Sequence, residues 1–184
     1  MEILVFIGVL IVISVIVYIA TAPKYKVTLV GGVNKFEDTQ IEVLFPFSRS
    51  ENLRSLKQIP IRLINKAPSP ISVEWDSCVF VDPSGESRRV IHSGVKLIDR
   101  NAPQPASVVA SRSKLADVLI PSDNIYYQEG SSAGNTYIPG GWKEHPLLKR
   151  WAGREEFSFK AVLAVKADGQ MKPYQFEFQA KKAA

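Results

Sequence analysis

Residues Phe157–Gln179 read "FSFKAVLAVKADGQMKPYQFEFQ", and their pattern decides the fold class. Phe157, Phe159, Ala161, Leu163 and Val165 alternate with Ser158, Lys160, Val162, Ala164 and Lys166. Tyr174, Phe176 and Phe178 repeat the alternation against Gln175, Glu177 and Gln179. Successive side chains of a strand point to opposite faces, so this period places the large apolar groups together on one side. Between the two runs lies Asp168-Gly169, a pair favoured in two-residue hairpin turns. The stretch is predicted to be a β-hairpin with one buried face.

Upstream the same period recurs in shorter runs bounded by Pro, Gly, Asn and Ser. "YKVTLV" (Tyr25–Val30), "IEVLF" (Ile41–Phe45), "IPIRLIN" (Ile59–Asn65) and "ISVEWDSCVFVD" (Ile71–Asp82) all read as strands. In the last of these, Cys78 and Phe80 share the parity of the outward Glu74 and Asp76. That change predicts a bulge near Asp76-Ser77, or burial on both faces further along. "DPSG" (Asp82–Gly85) is a turn, and "RRVIHSGVKLI" (Arg88–Ile98) is expected to return antiparallel. Pro103 and Pro105 interrupt the next segment, which suits an edge or a crossing between sheets. "SVVA" and "DVLIP" supply two more short strands, and helical turns are expected at 50–56 and 145–152.

About seven to nine short strands without a long helical period predict an all-β body, an antiparallel Ig-like β-sandwich over residues 23–184. The likeness is architectural, because the chain has one cysteine, Cys78, and so no intrachain disulfide. About 160 residues is enough to bury a core without such staples. The run from "PIRLINKAPSPISVEWDSCVFVDPSG" through "RRVIHSG" to "IPSDNIYY" resembles uncharacterised bacterial proteins that carry an N-terminal hydrophobic segment and a β-sandwich domain. The shared features are an Asn at a strand end, an aliphatic-x-aliphatic-x-Trp strand, an Asp…Gly turn and a later Ile-Pro-x-Asp. They cover Pro60–Tyr127 and are structural, so the resemblance implies a fold and no activity.

Ahead of the body, Ile3–Ala22 is a run of twenty uncharged residues dominated by Ile, Val and Leu. As a helix it would span roughly 30 Å, the thickness of a bilayer's hydrocarbon core. Residues 1–22 are therefore expected to form a single transmembrane anchor in membrane lipid. A cleaved leader ending at Ala20-Thr21-Ala22 is the rival reading. It is disfavoured by an n-region without Lys or Arg, by the length of the apolar run and by Pro23 after the cut. Lys24, Lys26 and Lys35 follow the span while Glu2 precedes it, which points the body to the cytoplasmic side.

The chain carries +5, and every basic residue lies after Ala22. These bases are dispersed, with no dense cluster or aromatic RNA-binding motif, so nucleic acid is not an expected partner. His92 and His145 are the only histidines, and no CxxC, HxxxH or phosphate-binding glycine loop occurs. No cofactor or metal is called for, Asp117, Asp123 and Glu129 being scattered as loop carboxylates are. A Cys78/His92 dyad is conceivable across neighbouring strands, but a small buried thiol and a strand-edge histidine are the simpler reading.

One segment stands apart. Residues 128–155 separate the last short strand from the C-terminal hairpin, a long connection for a compact domain. Tyr137, Trp142 and Trp151 are interleaved there with Lys143, Lys149 and Arg150. Aromatics with basic residues compose protein interfaces and membrane-surface belts, so these six are the candidate partner surface. A lid folded over an open sandwich end, with both tryptophans in the core, and a contact with lipid headgroups are the alternatives. The expectation is a non-catalytic interaction or assembly module with a membrane-protein partner. A tethered hydrolase and a lipid-surface module are the competing classes.

Overall fold

The computed structural model describes Gly8 and residues 22–133 and 136–183. The expected membrane anchor therefore lies outside the described residues, Gly8 and Ala22 excepted. Among the described residues no helix is long and apolar enough to cross a membrane.

The strands are short and numerous. The chain runs through β1 (Lys24–Leu29), β2 (Lys35–Glu37), β3 (Ile41–Leu44), β4 (Glu51–Asn52) and β5 (Ile59–Asn65). It continues with β6 (Ile71–Val73), β7 (Val79–Val81), β8 (Ser87–Ile91), β9 (Ser107–Val109) and β10 (Lys114–Pro121). Then come β11 (Ile125–Gln128), β12 (Ser131–Ala133), β13 (Thr136–Ile138) and β14 (Gly141–Glu144). The long pair β15 (Glu156–Ala167) and β16 (Gln170–Lys182) ends the series. The body is antiparallel β, as predicted. One curled sheet takes the order β2-β3-β5-β10-β8-β7-β15-β16-β1-β4, with β6 branching from β15 and β9 pairing on β6.

The predicted hairpin is the spine of that sheet. Ala167 pairs with Gln170 across Asp168-Gly169, whose φ values of 48° and 79° are both positive, as a type I′ turn requires. Register then sets Phe159 opposite Phe178, Ala161 opposite Phe176 and Leu163 opposite Tyr174. All six side chains are buried. The opposite limb, β2-β3-β5, faces them. Phe45 sits 4.9 Å from Phe176 and 4.8 Å from Phe178, edge to face, and Phe36 meets Tyr174 and Phe176 in the same way.

One strand links the limbs. In β10, Lys114 to Leu119 pair with β5, whereas Ile120 and Pro121 pair with Ile91 and Val90 of β8. A strand that changes partners along its length turns a corner, and the sheet curls around a single main core.

The run Ile71–Asp82 departs from the prediction. It is two strands separated by a 3-10 turn at Trp75–Ser77, not one strand with a bulge. The turn drops Trp75 into the core, where its indole N–H donates to Ser107 Oγ at 2.8 Å. It also shifts the parity by which Cys78 and Phe80 become buried. β8 stops at Ile91 and does not continue to Ile98, because a 3-10 turn at Leu97–Asp99 takes over. The helical turn expected near 145–152 is present as Lys149–Trp151, while 50–56 holds β4 and a turn.

Candidate functional site

Most of the connection read as a loop is a two-stranded arm. β11 pairs with β14, setting Ile125 opposite Glu144 and Tyr127 opposite Trp142. Further out β12 pairs with β13, and Ser132 lies opposite Tyr137. Between the two ladders the strands cross closely at Gly130 and Gly140. A Cβ on Gly140 would sit 2.7 Å from the Tyr127 hydroxyl and 2.8 Å from the Gln128 carbonyl oxygen, so only glycine fits. Two hydrogen bonds close the base of the arm: His145 N–H to the Asn124 carbonyl at 2.8 Å, and Asn124 Nδ2 to the His145 carbonyl at 3.3 Å.

The six candidate residues do not share one surface. Tyr137 is 68% exposed on the outer ladder, beside exposed Ile138, and Lys143 is exposed on β14. Trp142 is half-buried. It packs on a small apolar cluster of Ile91, Ile120 and Ile125, meets Tyr127 edge to face at 5.4 Å, and lies under the Arg100 guanidinium at 4.5 Å. Trp151 is only 7% exposed and belongs to the main core with Leu147 and Leu148, which removes it from the candidate surface. The reason is local: the turn Lys149–Trp151 follows two buried leucines and aims the indole inward. Lys149 and Arg150 stay outside, beside a cleft, and not on the arm. The structure thus separates an aromatic arm from a basic rim, and of the two tryptophans Trp151 is part of the main core.

The cleft at the arm's base has a volume of about 520 Å³. Its walls combine the β7–β8 turn (Asp82, Glu86, Arg88), the segment before β11 (Asp123, Asn124) and residues His145 to Trp151. Arg88 donates to Asp123 Oδ2 at 2.7 Å and also to Asn124. Asp82 is committed to its own turn. Burial pushes its carboxyl up, but hydrogen bonds from Ser84 and from the Glu86 amide outweigh that and hold the group below its ordinary value. His145 stacks on Tyr126 at 4.0 Å.

Searches against known proteins return no matching family model, no matching curated protein and no matching solved structure.

Cys78 and His92 are held apart from each other by other partners. Burial pushes the Cys78 thiol up to about 11, despite an opposing hydrogen bond from the Ala164 amide to Sγ at 3.3 Å. At neutral pH it is protonated and donates to the Glu74 carbonyl. His92 stacks flat on Trp75 at 4.6 Å, and its Nδ1 lies 3.2 Å from Asp117 Oδ2. Asp117 also accepts the Ser93 and Val118 amides, so this pair is a buried structural knot joining β8 and β10. Asp123 binds Arg88, and among the described residues no three His, Cys, Asp or Glu side chains gather as metal ligands.

Sequence reading missed Tyr126, Tyr127 and Ile138 as arm residues, and Asp82, Glu86 and Arg88 as cleft walls. A signal for the arm was present. Gly130 and Gly140 flank alternating residues on both sides, as the two members of one close crossing must.

Proposed function

We propose that this chain is a membrane-anchored, non-catalytic β module that docks a protein partner held in the same membrane. Residues 3–22 are the anchor in lipid, and Lys24, Lys26 and Lys35 put the body on the cytoplasmic side. In this reading the curled sheet is an Ig-like sandwich in the architectural sense. Two facing limbs, a buried Trp75 and the limb-switching β10 support that description.

One observation carries the interaction reading. The arm holds Tyr127, Tyr137 and Ile138 at 55%, 68% and 53% exposure, on a hydrogen-bonded ladder and not a slack loop. Tyrosines on an ordered edge offer large contact area at low entropic cost, which is the make-up of a binding hot spot. The anchor adds to this by confining the body to two dimensions, which raises its effective concentration toward a neighbour in the bilayer. The protonated, buried Cys78 thiol favours this over the thiol version of a tethered hydrolase.

The test is site-specific photocrosslinking in the full chain. A crosslinker at Tyr137 is expected to trap one defined membrane protein, and the adduct is expected to disappear when Tyr127 is changed to Ser. The control position is Val108, which is 73% exposed but lies on β9 away from the arm. Equal yields at 137 and 108 would refute the docking arm.

A further inference from the structure

We infer that the end of the body where the chain enters from residue 22 is a membrane-facing surface that binds the anionic headgroups of the bilayer through Lys24, Lys149, Arg150 and Arg154. This rests on residues 3–22 being the anchor, and it adds a second lipid contact that the anchor alone does not require.

Distance makes the argument. Lys24 is already in the sheet, paired with Asn52, and Tyr25 is fully buried opposite Lys182. Only Pro23 separates Ala22 from β1. One residue reaches about 3.5 Å, so a span ending at Ala22 holds this end of the body flush against the headgroup layer. Whatever charges ring the entry point must then meet lipid headgroups.

Hydrogen bonds draw the other basic residues to that point. The Tyr25 hydroxyl donates to the Arg154 carbonyl at 2.9 Å and accepts the Gly153 amide at 2.7 Å. Arg154 N–H in turn reaches the Trp151 carbonyl at 3.1 Å, which brings the Lys149–Trp151 turn alongside. Ala183 N–H binds the Lys24 carbonyl at 2.8 Å. Of the nearby acids, Glu155 binds Lys182 at 2.8 Å and Glu156 binds Lys181 and Gln179. The cleft that Lys149 and Arg150 line also holds Asp82, bound in its own turn, Asp123, bound to Arg88, and the exposed Glu86. Among the described residues, Lys24, Lys149, Arg150 and Arg154 are exposed and their charged groups have no carboxylate partner. Four cations without an ion-pair partner among the described residues, held against a bilayer by a one-residue tether, complement anionic headgroups.

The test uses the full chain in lipid nanodiscs, either purely zwitterionic phosphatidylcholine or phosphatidylcholine with phosphatidylglycerol, read by amide hydrogen exchange. Residues 22–26 and 149–155 are expected to exchange more slowly in the anionic discs, and high salt should erase the difference. Arg150→Gln with Arg154→Gln should reduce the lipid-dependent protection by up to about thirty-fold, at roughly a fivefold loss per charge near the surface. Lys114→Gln with Lys166→Gln removes the same charge from the opposite end and should leave the protection intact.

Equal exchange in the two lipids overturns the proposal. So does an equal loss in the two double variants, which would mean a response to net charge alone. A chain that leaves the discs in alkaline carbonate overturns the anchor itself, and this proposal with it. An intact anchor with lipid-independent exchange overturns only the proposal.

Discussion

Two hairpins of this chain look alike along the sequence and end in opposite environments. β15–β16 and the arm β11–β14 are both antiparallel ribbons carrying aromatic residues. In the first, Tyr174, Phe176 and Phe178 are buried against Phe36 and Phe45 of the facing limb, and Phe159 is buried between Phe178 and Phe80. In the second, Tyr127 and Tyr137 face outward, and only Trp142 and Ile125 touch the body's small second cluster. Local pairing made both ribbons, but only a facing layer turns an aromatic into core. The difference separates stability, which lives in the first hairpin, from recognition, which we assign to the second.

The comparison breaks most sharply at Phe178. Phe178→Ala removes a fully buried ring that touches Phe45, Phe47 and Phe159, and should cost about 3–5 kcal/mol in denaturant unfolding. Tyr137→Ala on the arm should change stability by less than about 0.5 kcal/mol while abolishing the adduct formed by a crosslinker at the exposed Ile138. If the two costs came out alike, the arm would be part of the core.

The next effect tests what clamps the first hairpin to the facing limb. Asp38, just past β2, accepts the Gln40 and Ile41 amides with one oxygen. With the other it takes Lys172 at 3.0 Å and the Tyr174 hydroxyl at 3.1 Å, both on β16. Burial pushes its carboxyl up, yet the Ile41 amide, Lys172, the Gln40 amide and Tyr174 together pull it down to about 2. The fold thus binds the carboxylate in preference to the acid. Its contribution is complete above the ordinary value of 3.8 and fades as pH falls through about 2. Asp38→Asn should lose about 1–2 kcal/mol at neutral pH and flatten the decline in unfolding free energy between about pH 4 and 2. No such clamp holds the arm among the described residues.

A smaller effect on stability, and a local one, is expected at Gly140. Gly140→Val puts a branched side chain where a Cβ already meets backbone at 2.8 Å, so the two ladders of the arm must part. Hydrogen exchange should rise across 125–144 while the global unfolding midpoint moves by less than about 1 kcal/mol. A large global loss would show that the arm and body fold as one unit.

The two ends of the body differ as well. At the turn end, Lys35 is paired with Glu37 and Glu42, Lys66 with Glu37, and Lys172 with Asp38. The Glu37 carboxyl is drawn to about 2 by its hydrogen bonds from Lys35 and Lys66. At the entry end, Lys24, Lys149, Arg150 and Arg154 lack ion-pair partners among the described residues, as Lys114 and Lys166 do at the turn end. The ends therefore differ in the paired cluster around Glu37 and Asp38. Overall net charge conceals this asymmetry, because it depends on which residues the fold brings side by side.

Much of the fold was legible in the residues. The alternation in 157–179, the Asp-Gly turn and the short Pro- and Gly-bounded runs determine strands, their inward faces and one hairpin register. Those are local matters of pleat and turn geometry. The candidate surface was half legible. Its composition marks 128–155 as unusual, but whether Trp151 is core and Tyr137 is surface depends on which layer each meets. Only the tertiary structure decided that, along with the break at Trp75, the handover of β10 between limbs and the gathering of unpaired cations around Lys24. Burial and electrostatic pairing are properties of residues far apart in the chain, and no window along the sequence contains them.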